Sequence, residues 1–198
     1  MTVYACSSNP GKLREFALAA PGVRVETLPN LGNIAPPEET GTTFEENARL
    51  KAVYYSALTP ELIFADDSGL EVDALAGAPG VHSARYAGPH ATDAENNALL
   101  LRNLGNQARR SARFVCVIAL AHLGQVLQTF SGSVDGEILL APRGAGGFGY
   151  DPLFFYPPFG CSFAELVPEQ KFAVSHRGNA LRSLARYLSE EKLSSVGN

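Results

Sequence analysis

The sequence has no CxxC pair, no long apolar run and no excess of basic residues, and each absence excludes a class of protein. Its three cysteines, Cys6, Cys116 and Cys161, lie far apart, so no cysteine zinc site is expected, and their odd number fits a reducing compartment, the cytoplasm. The longest apolar run, residues 114–121, is too short to span a membrane. The first residues do not have the pattern of a secretory signal. Asp and Glu number 20 against 16 Lys and Arg, which argues against a protein that coats nucleic acid.

The composition that remains is that of a soluble globular protein. Of the 198 residues, 45% are hydrophobic and 18% are charged, whereas disordered chains combine low hydrophobicity with high net charge. A chain of this length can bury a core without disulfides or a structural metal. At about 150 residues per domain, residues 1–198 are predicted to form a single domain.

Hydrophobic periodicity predicts a chain in which helices and strands are mixed. Thr43 with Glu46, and Thr92 with Glu95, have the spacing of a capping box, so each pair predicts the start of a helix. The mixture of hairpin and crossover spacings favours an α/β fold with a mixed β-sheet. The predicted strands are residues 2–6, 23–28, 62–65, 112–122, 125–134 and 137–140, and the predicted helices are residues 12–20, 43–57, 92–104 and a last helix from residue 175.

Residues 7–12, SSNPGK, connect the first strand to the first helix. A helix N-terminus presents unpaired N–H groups that suit phosphate, and the hydroxyls, the glycine and Lys12 add donors. The segment is not a Walker A motif, because Leu13 stands where Ser or Thr would follow the lysine. It is either a phosphate-binding loop or a helix-capping turn with a solvated lysine.

Two adjacent acids, Asp66 and Asp67, follow the apolar strand predicted at residues 62–65. Open α/β sheets bind ligands at the carboxyl ends of their strands. Because side chains alternate along a strand, one of the two acids is expected to face the ligand. A carboxylate there can bind Mg²⁺ or accept a proton from water. The alternative is a polar turn capped by an aspartate.

A second group of acids lies around the start of the helix at Thr43. Glu45 and Glu46 are explained by their favourable interaction with the helix dipole. Glu38 and Glu39, in the preceding loop, are candidate metal ligands.

Two later segments can contact a ligand. In residues 146–152, GGFGYDP, the glycines allow the backbone to approach a ligand and the two aromatic rings can stack on a flat ring. The alternative is a tight hairpin with aromatic residues in the core. Lys171, His176 and Arg177 offer donors before and at the start of the last helix. Together these segments fit a Mg²⁺-dependent enzyme that acts on a nucleotide, and they leave open which phosphate bond is cut.

Five collinear segments resemble the inosine triphosphate pyrophosphatase family, which acts on non-standard purine nucleotides. They are SSNPGKLREF, EETGTTFEENARLKA, FADDSGLEVDALAGAPGVHSARYAG, GGFGYDPLFF and KFAVSHRGNAL. The resemblance implies an elongated α/β fold with a long mixed sheet and flanking helices, forming two lobes around a central cleft, and a homodimer. It implies the hydrolysis of ITP, dITP or XTP to the monophosphate and pyrophosphate, with Mg²⁺ as cofactor.

The resemblance also implies roles for residues at matching positions. Asp67 matches a general base that also binds the metal, together with Glu38, or with Glu39 because the acidic loop aligns loosely. Donors near residues 171–177 are the candidates for contacting the C6 carbonyl of hypoxanthine or xanthine, where adenine has an amino group. The implied substrate-binding residues are Ser7, Ser8, Asn9, Pro10, Gly11, Lys12, Ser68, Phe148, Gly149, Tyr150, Asp151, Lys171, His176 and Arg177.

Three other functions compete with this interpretation. The first is a related house-cleaning pyrophosphatase that acts on other modified nucleotides. The second is a receiver-like signalling module, which explains Asp66 and Asp67 but not the other segments. The third is a nucleotide-binding regulator without turnover. The last two would bind ligand without releasing pyrophosphate.

Overall fold

The computed structural model of the chain describes residues 2–18 and 23–196. The α-helices are α1 (Pro10–Phe16), α2 (Phe44–Ser56), α3 (Asp93–Leu104), α4 (Pro168–Val174) and α5 (His176–Val196). The strands are β1 (Thr2–Ala5), β2 (Arg24–Thr27), β3 (Ile63–Val72), β4 (Ser111–His122), β5 (Gln125–Ile138), β6 (Phe154–Tyr156) and β7 (Cys161–Ser162).

The strands of the described residues form one seven-stranded sheet in the order β2-β1-β3-β4-β5-β6-β7. β1 pairs in parallel with β2 and with β3, whereas β6 pairs antiparallel with both β5 and β7. The sheet is therefore mixed, and the predicted α/β fold is confirmed. No helix among residues 2–18 and 23–196 is long and apolar enough to cross a membrane.

The chain divides into two compact units. Unit 1 comprises Met1–Asp67, Cys116–Gly132 and His176–Asn198, and unit 2 comprises Ser68–Val115 and Ser133–Ser175. The boundary cuts β3 directly after Asp67, and it also falls within β4 and β5.

The core of unit 1 is built from small, aliphatic and aromatic side chains. In α2, Ala48 and Ala52 are fully buried and lie one turn apart, as the predicted 3.6-residue period requires. Phe16 of α1 meets Phe64 of β3 edge to face, with ring centroids 5.1 Å apart. The apolar residues of α5 recur at helical spacing and are all buried, namely Ala180, Leu181, Leu184, Ala185 and Leu188.

Unit 2 has an aromatic core of its own. Phe154 packs against Phe114 and Phe163, with ring centroids 4.5 Å and 4.9 Å apart. Leu70 and Val72, at the end of β3, belong to the same apolar cluster. These two buried residues explain why β3 continues past Asp67, where the predicted strand at residues 62–65 had already ended.

Local sequence signals give most of the remaining boundaries. Both capping boxes form, at Thr43 with Glu46 and at Thr92 with Glu95. The predicted hairpin also forms, and Leu123 and Gly124 adopt the positive φ values of 49° and 79° at its turn. The helix predicted at residues 12–20 is observed as α1 but with other bounds: it begins at Pro10 and ends at Phe16, residues 17 and 18 form a turn, and residues 19 and 20 lie outside the described residues. The strands predicted at residues 125–134 and 137–140 belong to one strand, β5, which ends at Ile138.

Candidate active site

Asp66 and Asp67 lie side by side on β3 and are both buried, yet they contact different elements of unit 1. The partners of Asp66 come from α1 and α5, and those of Asp67 come from α2. This separation follows from the strand, which directs consecutive side chains to opposite faces of the sheet. Each carboxylate therefore has direct contact partners of its own.

The carboxylate of Asp66 is the centre of a buried ion cluster. Lys12 Nζ lies 2.9 Å from Asp66 Oδ2, and Arg177 Nε lies 3.7 Å from the same oxygen. Arg177 also forms a salt bridge with Glu15, a residue of α1. Burial by itself raises the pKa of Asp66, but the charges of Lys12 and Arg177 outweigh it and lower the pKa to about 2. Asp66 is thus a permanent anion that anchors two cations.

The pKa of Asp67 shifts in the opposite direction to that of Asp66. Asn47 Nδ2 donates to Asp67 Oδ2 at 3.2 Å, and Lys51 Nζ lies 3.4 Å from Asp67 Oδ1. Burial raises the pKa of Asp67, although Lys51 and Lys12 oppose the rise. A carboxylate with a raised pKa accepts a proton more readily than an ordinary aspartate, as a general base must.

Asn47 and Lys51 reach Asp67 because they are one turn apart on α2 and share a face of that helix. Burial by itself lowers the pKa of Lys51, but the charges of Asp67, Asp66 and Glu39 raise it, so Lys51 stays protonated. Neither residue was singled out from the sequence, because an Asn and a Lys on an amphipathic helix are usually solvated. Their spacing of four residues was the available signal.

Glu38 and Glu39, in the loop before α2, differ in their contacts and in their exposure. Lys51 Nζ lies 2.7 Å from Glu39 Oε1, so Glu39 and Asp67 contact the same ammonium group. Glu38 is exposed, whereas Glu39 is partly buried. The structure therefore joins Glu39, the second of the two predicted candidates, to Asp67 through one cation.

The donor set of this part of unit 1 fits a magnesium ion. Asp67 and Glu39 are two carboxylates close enough to share one cationic group. Mg²⁺ is commonly bound by one or two carboxylates together with water and substrate phosphates. Among residues 2–18 and 23–196, no three His, Cys, Asp or Glu side chains are grouped so as to hold a metal by themselves. The residues present fit a site that is completed by phosphate oxygens.

Residues 7–12 form a capping turn. Asn9 Oδ1 accepts hydrogen bonds from the N–H groups of Gly11 and Lys12, at 2.8 Å and 3.1 Å, and Asn9 N–H donates to Ser7 Oγ at 3.3 Å. Pro10 takes the first position of α1, where its missing N–H costs nothing. Of the two interpretations of this segment, the cap is observed, but Lys12 is directed to Asp66 and is not a solvated lysine.

In unit 2, the glycine loop (residues 146–151) carries the second set of predicted residues. Asp151 is buried, and its Oδ2 lies 2.5 Å from Lys171 Nζ and accepts the Phe148 N–H at 2.8 Å. The Lys171 ammonium also lies over the Phe148 ring, 4.5 Å from its centroid, in a cation–π contact. The structure thus brings together Phe148, Asp151 and Lys171, three of the residues named from the sequence.

The other predicted residues have less direct placements. Tyr150 is a core residue, because its ring is buried and its hydroxyl donates to the Ser83 carbonyl at 2.8 Å. Phe148 is partly buried, so it is the aromatic side chain of this loop with a surface left for stacking. Ser68 is partly buried on β3, and His176 is buried at the start of α5.

The mixed sheet and the buried cluster of carboxylates and lysines define an α/β protein with a candidate site for phosphates and a metal. The sequence pattern of the Ham1 family matches residues 3–187. The chain belongs to this family.

Individual relatives agree with this assignment. The chain is 49% identical over 186 residues to a protein named dITP/XTP pyrophosphatase from an Exiguobacterium species, covering 93% of this chain and 95% of the relative. It is 51% identical over 189 residues to a Thermus thermophilus protein of the same name, covering 93% and 90%.

Solved structures are similar over the whole length. The Ham1 protein of Staphylococcus aureus superimposes with a TM-score of 0.86 at 42% identity, covering 96% of this chain and 100% of that one. A nucleoside-triphosphatase, dITP/XTP pyrophosphatase, from Mycobacterium abscessus gives a TM-score of 0.73 at 43% identity, covering 93% and 98%.

Proposed function

We propose that this chain hydrolyses the non-standard purine nucleoside triphosphates ITP, dITP and XTP to the nucleoside monophosphate and pyrophosphate, and so removes them from the nucleotide pool. It is a nucleoside triphosphate pyrophosphatase, a hydrolase, like the relatives to which it is about half identical. The observation that carries the proposal is Asp67, a buried carboxylate with a raised pKa that is held between an amide and an ammonium group.

The hydrolysis needs a base for water. Water attacks the α-phosphorus, the bond to the oxygen that bridges the α- and β-phosphates breaks, and pyrophosphate leaves. Asp67 accepts the proton that the water loses, a contribution of about 10²–10⁴ in rate. Asn47 donates to Asp67 Oδ2 and Lys51 Nζ lies beside Oδ1, so the carboxylate is held at both oxygens while each keeps a lone pair for the proton.

Positive groups of unit 1 bind the triphosphate. The substrate carries about four negative charges, and charge on the leaving pyrophosphate must be stabilised by preorganised donors. Lys12, with residues 7–12, and Lys51 supply such charge, and Asp66 anchors Lys12. Arg177 supports the same anchor, and His176 completes the set of residues proposed for the nucleotide.

Mg²⁺ is the proposed cofactor, held by Asp67 with Glu39 or Glu38. When bound, it would neutralise phosphate charge and help to orient the phosphates. Glu39 is the favoured partner, because it already shares a cationic neighbour with Asp67.

Unit 2 residues select the base. The partly buried Phe148 ring offers a stacking surface, and the Lys171 ammonium beside it can donate to the C6 carbonyl of hypoxanthine or xanthine. Adenine presents a donor at the same position, so a donor of the protein would face a donor of the base. Ser68, Gly149, Tyr150 and Asp151 are proposed to shape this part of the substrate site.

The test is pyrophosphate release by the purified protein with Mg²⁺, comparing ITP, dITP, XTP, ATP, GTP, CTP and UTP at equal concentration. Fast release from ITP, dITP and XTP, with little from ATP and GTP, is the expected result. Release from CTP or UTP alone, and from no purine nucleotide, would support the related house-cleaning pyrophosphatase instead. Binding without any release would support a regulator or signalling module and would overturn the proposal.

We also propose the setting in which the enzyme works. It acts in the cytoplasm, where nucleoside triphosphates are kept, as a homodimer and without a nucleic acid or membrane partner. Both units together form one pyrophosphatase domain over residues 1–198. Sedimentation analysis of the purified chain tests the dimer.

A further inference from the structure

One helix of unit 2 holds both backbone polar groups of a single glycine in the glycine loop. The Gly149 N–H donates to Asp93 Oδ2 at 2.6 Å, and the Gly149 carbonyl accepts from Asn97 Nδ2 at 2.9 Å. Asp93 is the first residue of α3 and Asn97 follows four residues later, so both side chains extend from one face of the helix. The pair forms a clamp on Gly149.

The clamp acts at a residue with wide conformational freedom. Gly149 has a φ of 62°, in the left-handed region that glycine enters and leaves at little cost. A residue of this kind is a poor anchor for its neighbours unless its backbone is held from outside the loop.

The neighbours of Gly149 are the residues that carry the proposed base contacts. Phe148 precedes it, and Asp151 lies two residues further on and accepts the Phe148 N–H. The Lys171 ammonium group contacts both of these side chains: it forms a salt bridge with the Asp151 carboxylate and lies over the Phe148 ring. Any rotation at Gly149 therefore moves the Phe148 ring relative to Lys171 and Asp151.

Stability by itself does not explain Asn97 at this position. The residue is 9% exposed, and its Oδ1 is buried without a hydrogen-bond partner among residues 2–18 and 23–196. A buried carbonyl oxygen without a donor costs free energy that an apolar side chain of the same size would not cost. What the asparagine supplies here is the donor to Gly149.

We propose that Asp93 and Asn97 are positioning residues that hold the glycine loop in its base-binding geometry. The proposal rests on the proposed function, because the base contacts it organises belong to that function. The clamp acts on nucleotide affinity and base selection, whereas the proton transfer at Asp67 does not depend on it.

The test compares variants that keep the shape of the side chain. Asn97→Asp replaces the donor by a second acceptor that faces the Gly149 carbonyl. Asn103→Asp, at an exposed position of the same helix, is the matched control. Asn96→Asp controls for damage to a buried asparagine, because Asn96 bonds to Ala84 and Ala87 and not to the glycine loop.

Steady-state kinetics give the first readout. Asn97→Asp is expected to raise KM for ITP by about tenfold, the effect of losing a hydrogen bond of ordinary strength, with kcat nearly unchanged. Asp93→Ala should act in the same way, and Asp93→Asn should restore most of the affinity because it keeps an oxygen acceptor. Asn103→Asp should match the wild type.

Hydrogen exchange of the enzyme without nucleotide gives a readout that does not need turnover. Peptides that cover residues 146–151 should exchange faster in Asn97→Asp and Asp93→Ala than in the wild type. In Asn103→Asp and Asn96→Asp, the exchange rate of these peptides should equal that of the wild type. Equal exchange in all proteins, or a KM that stays at the wild-type value, would overturn the clamp. If Asn97→Asp does not fold, Asp93→Ala decides alone, since Asp93 is exposed.

Failure of the clamp and failure of the proposed function give different results. If the wild type releases no pyrophosphate from any purine triphosphate, the proposed function fails, and the base-binding role of the clamp fails with it. If the wild type is active but the variants bind ITP as it does, only the clamp fails.

Discussion

The surroundings of the two adjacent aspartates on β3 shift their pKa values in opposite directions. Asp66 is surrounded by cations that keep it charged, while the pKa of Asp67 is raised by burial. The difference between a permanent anion and a carboxylate with a raised pKa arises from partners on α1 and α5 for one residue and on α2 for the other. Two predictions at the level of single residues follow from this contrast.

Asp67→Asn is expected to lower kcat by about 10²–10⁴, because the amide cannot accept the proton of water. Nucleotide affinity should change little, since Lys12, Lys51 and the glycine loop are untouched. Pyrophosphate release and equilibrium binding of ITP measure the two effects. Asp135→Asn, at an exposed position of β5, is the matched control. A variant that keeps more than about a tenth of the wild-type kcat would remove Asp67 as the base.

Asp66→Asn is expected to destabilise the protein at neutral pH by about 3–5 kcal/mol, because it leaves Lys12 and Arg177 without their shared anion in a buried place. In the wild type the pKa of Asp66 is lowered from 3.8 to about 2, so its stabilising contribution is complete above pH 3.8 and is lost as pH falls through about 2. The variant lacks this dependence.

Urea unfolding followed by circular dichroism at several pH values measures this effect. The gap in unfolding free energy between the wild type and Asp66→Asn should narrow as the pH falls from about 4 to about 2, the range between the two pKa values. Asp135→Asn should show no such gap. A gap that stays constant down to the lowest pH would contradict the assignment of the lowered pKa to Asp66.

At the level of elements, α5 approaches β5 closely at one point. A Cβ atom added at Gly132 of β5 would collide with backbone atoms of His176 and Ala180 in α5. Backbone atoms cannot move aside as a flexible side chain can. The end of α5 that carries His176 and Arg177 would therefore have to shift. Glycine is required here by the space between the strand and the helix.

Gly132→Ala is therefore expected to cost about 1–3 kcal/mol of stability, the usual price of overpacking, and to reduce ITP turnover. Gly32→Ala is the control, because a Cβ at Gly32 meets no atom within 4 Å and its φ is not positive. Thermal unfolding and pyrophosphate release of the two variants are compared. Equal behaviour of the two would show that the contact at Gly132 relaxes without displacing α5.

Element boundaries were predictable where a local signal sets them. Thr43 and Thr92 begin helices because their capping boxes satisfy the first N–H groups, and this pattern is visible in the sequence. The end of β3 was not predictable in this way. The strand passes through two charged residues because Lys12, Arg177, Lys51 and Asn47 reach them from other elements, and such long-range partners leave no local mark.

The same reason separates the predicted from the missed site residues. Asp67, Lys12 and Lys171 lie in motifs, so a sequence pattern finds them. Asn97 and Lys51 lie on the faces of ordinary amphipathic helices, and only their contacts with Gly149 and Asp67 distinguish them from solvated residues. Residues that lie in motifs are therefore easier to predict than residues that are distinguished only by long-range contacts.

At the level of the whole molecule, the fold is predicted to be independent of the metal that we propose for the reaction. The described cores of both units are apolar, and within the described residues no group of three ligands could hold a structural metal. Asp67 and Glu39 already have Lys51 as a shared cationic partner, so removing a metal leaves no uncompensated pair of carboxylates.

EDTA should abolish pyrophosphate release while shifting the unfolding temperature by less than about 4 °C, the shift that 1 kcal/mol produces in a chain of this size. Added Mg²⁺ should restore activity in full, and Ca²⁺, which prefers more ligands at longer distances, is the comparison cation. Unfolding of the chain in EDTA would instead mean that a metal belongs to the core of the fold, since structural metal sites lose their fold to chelators.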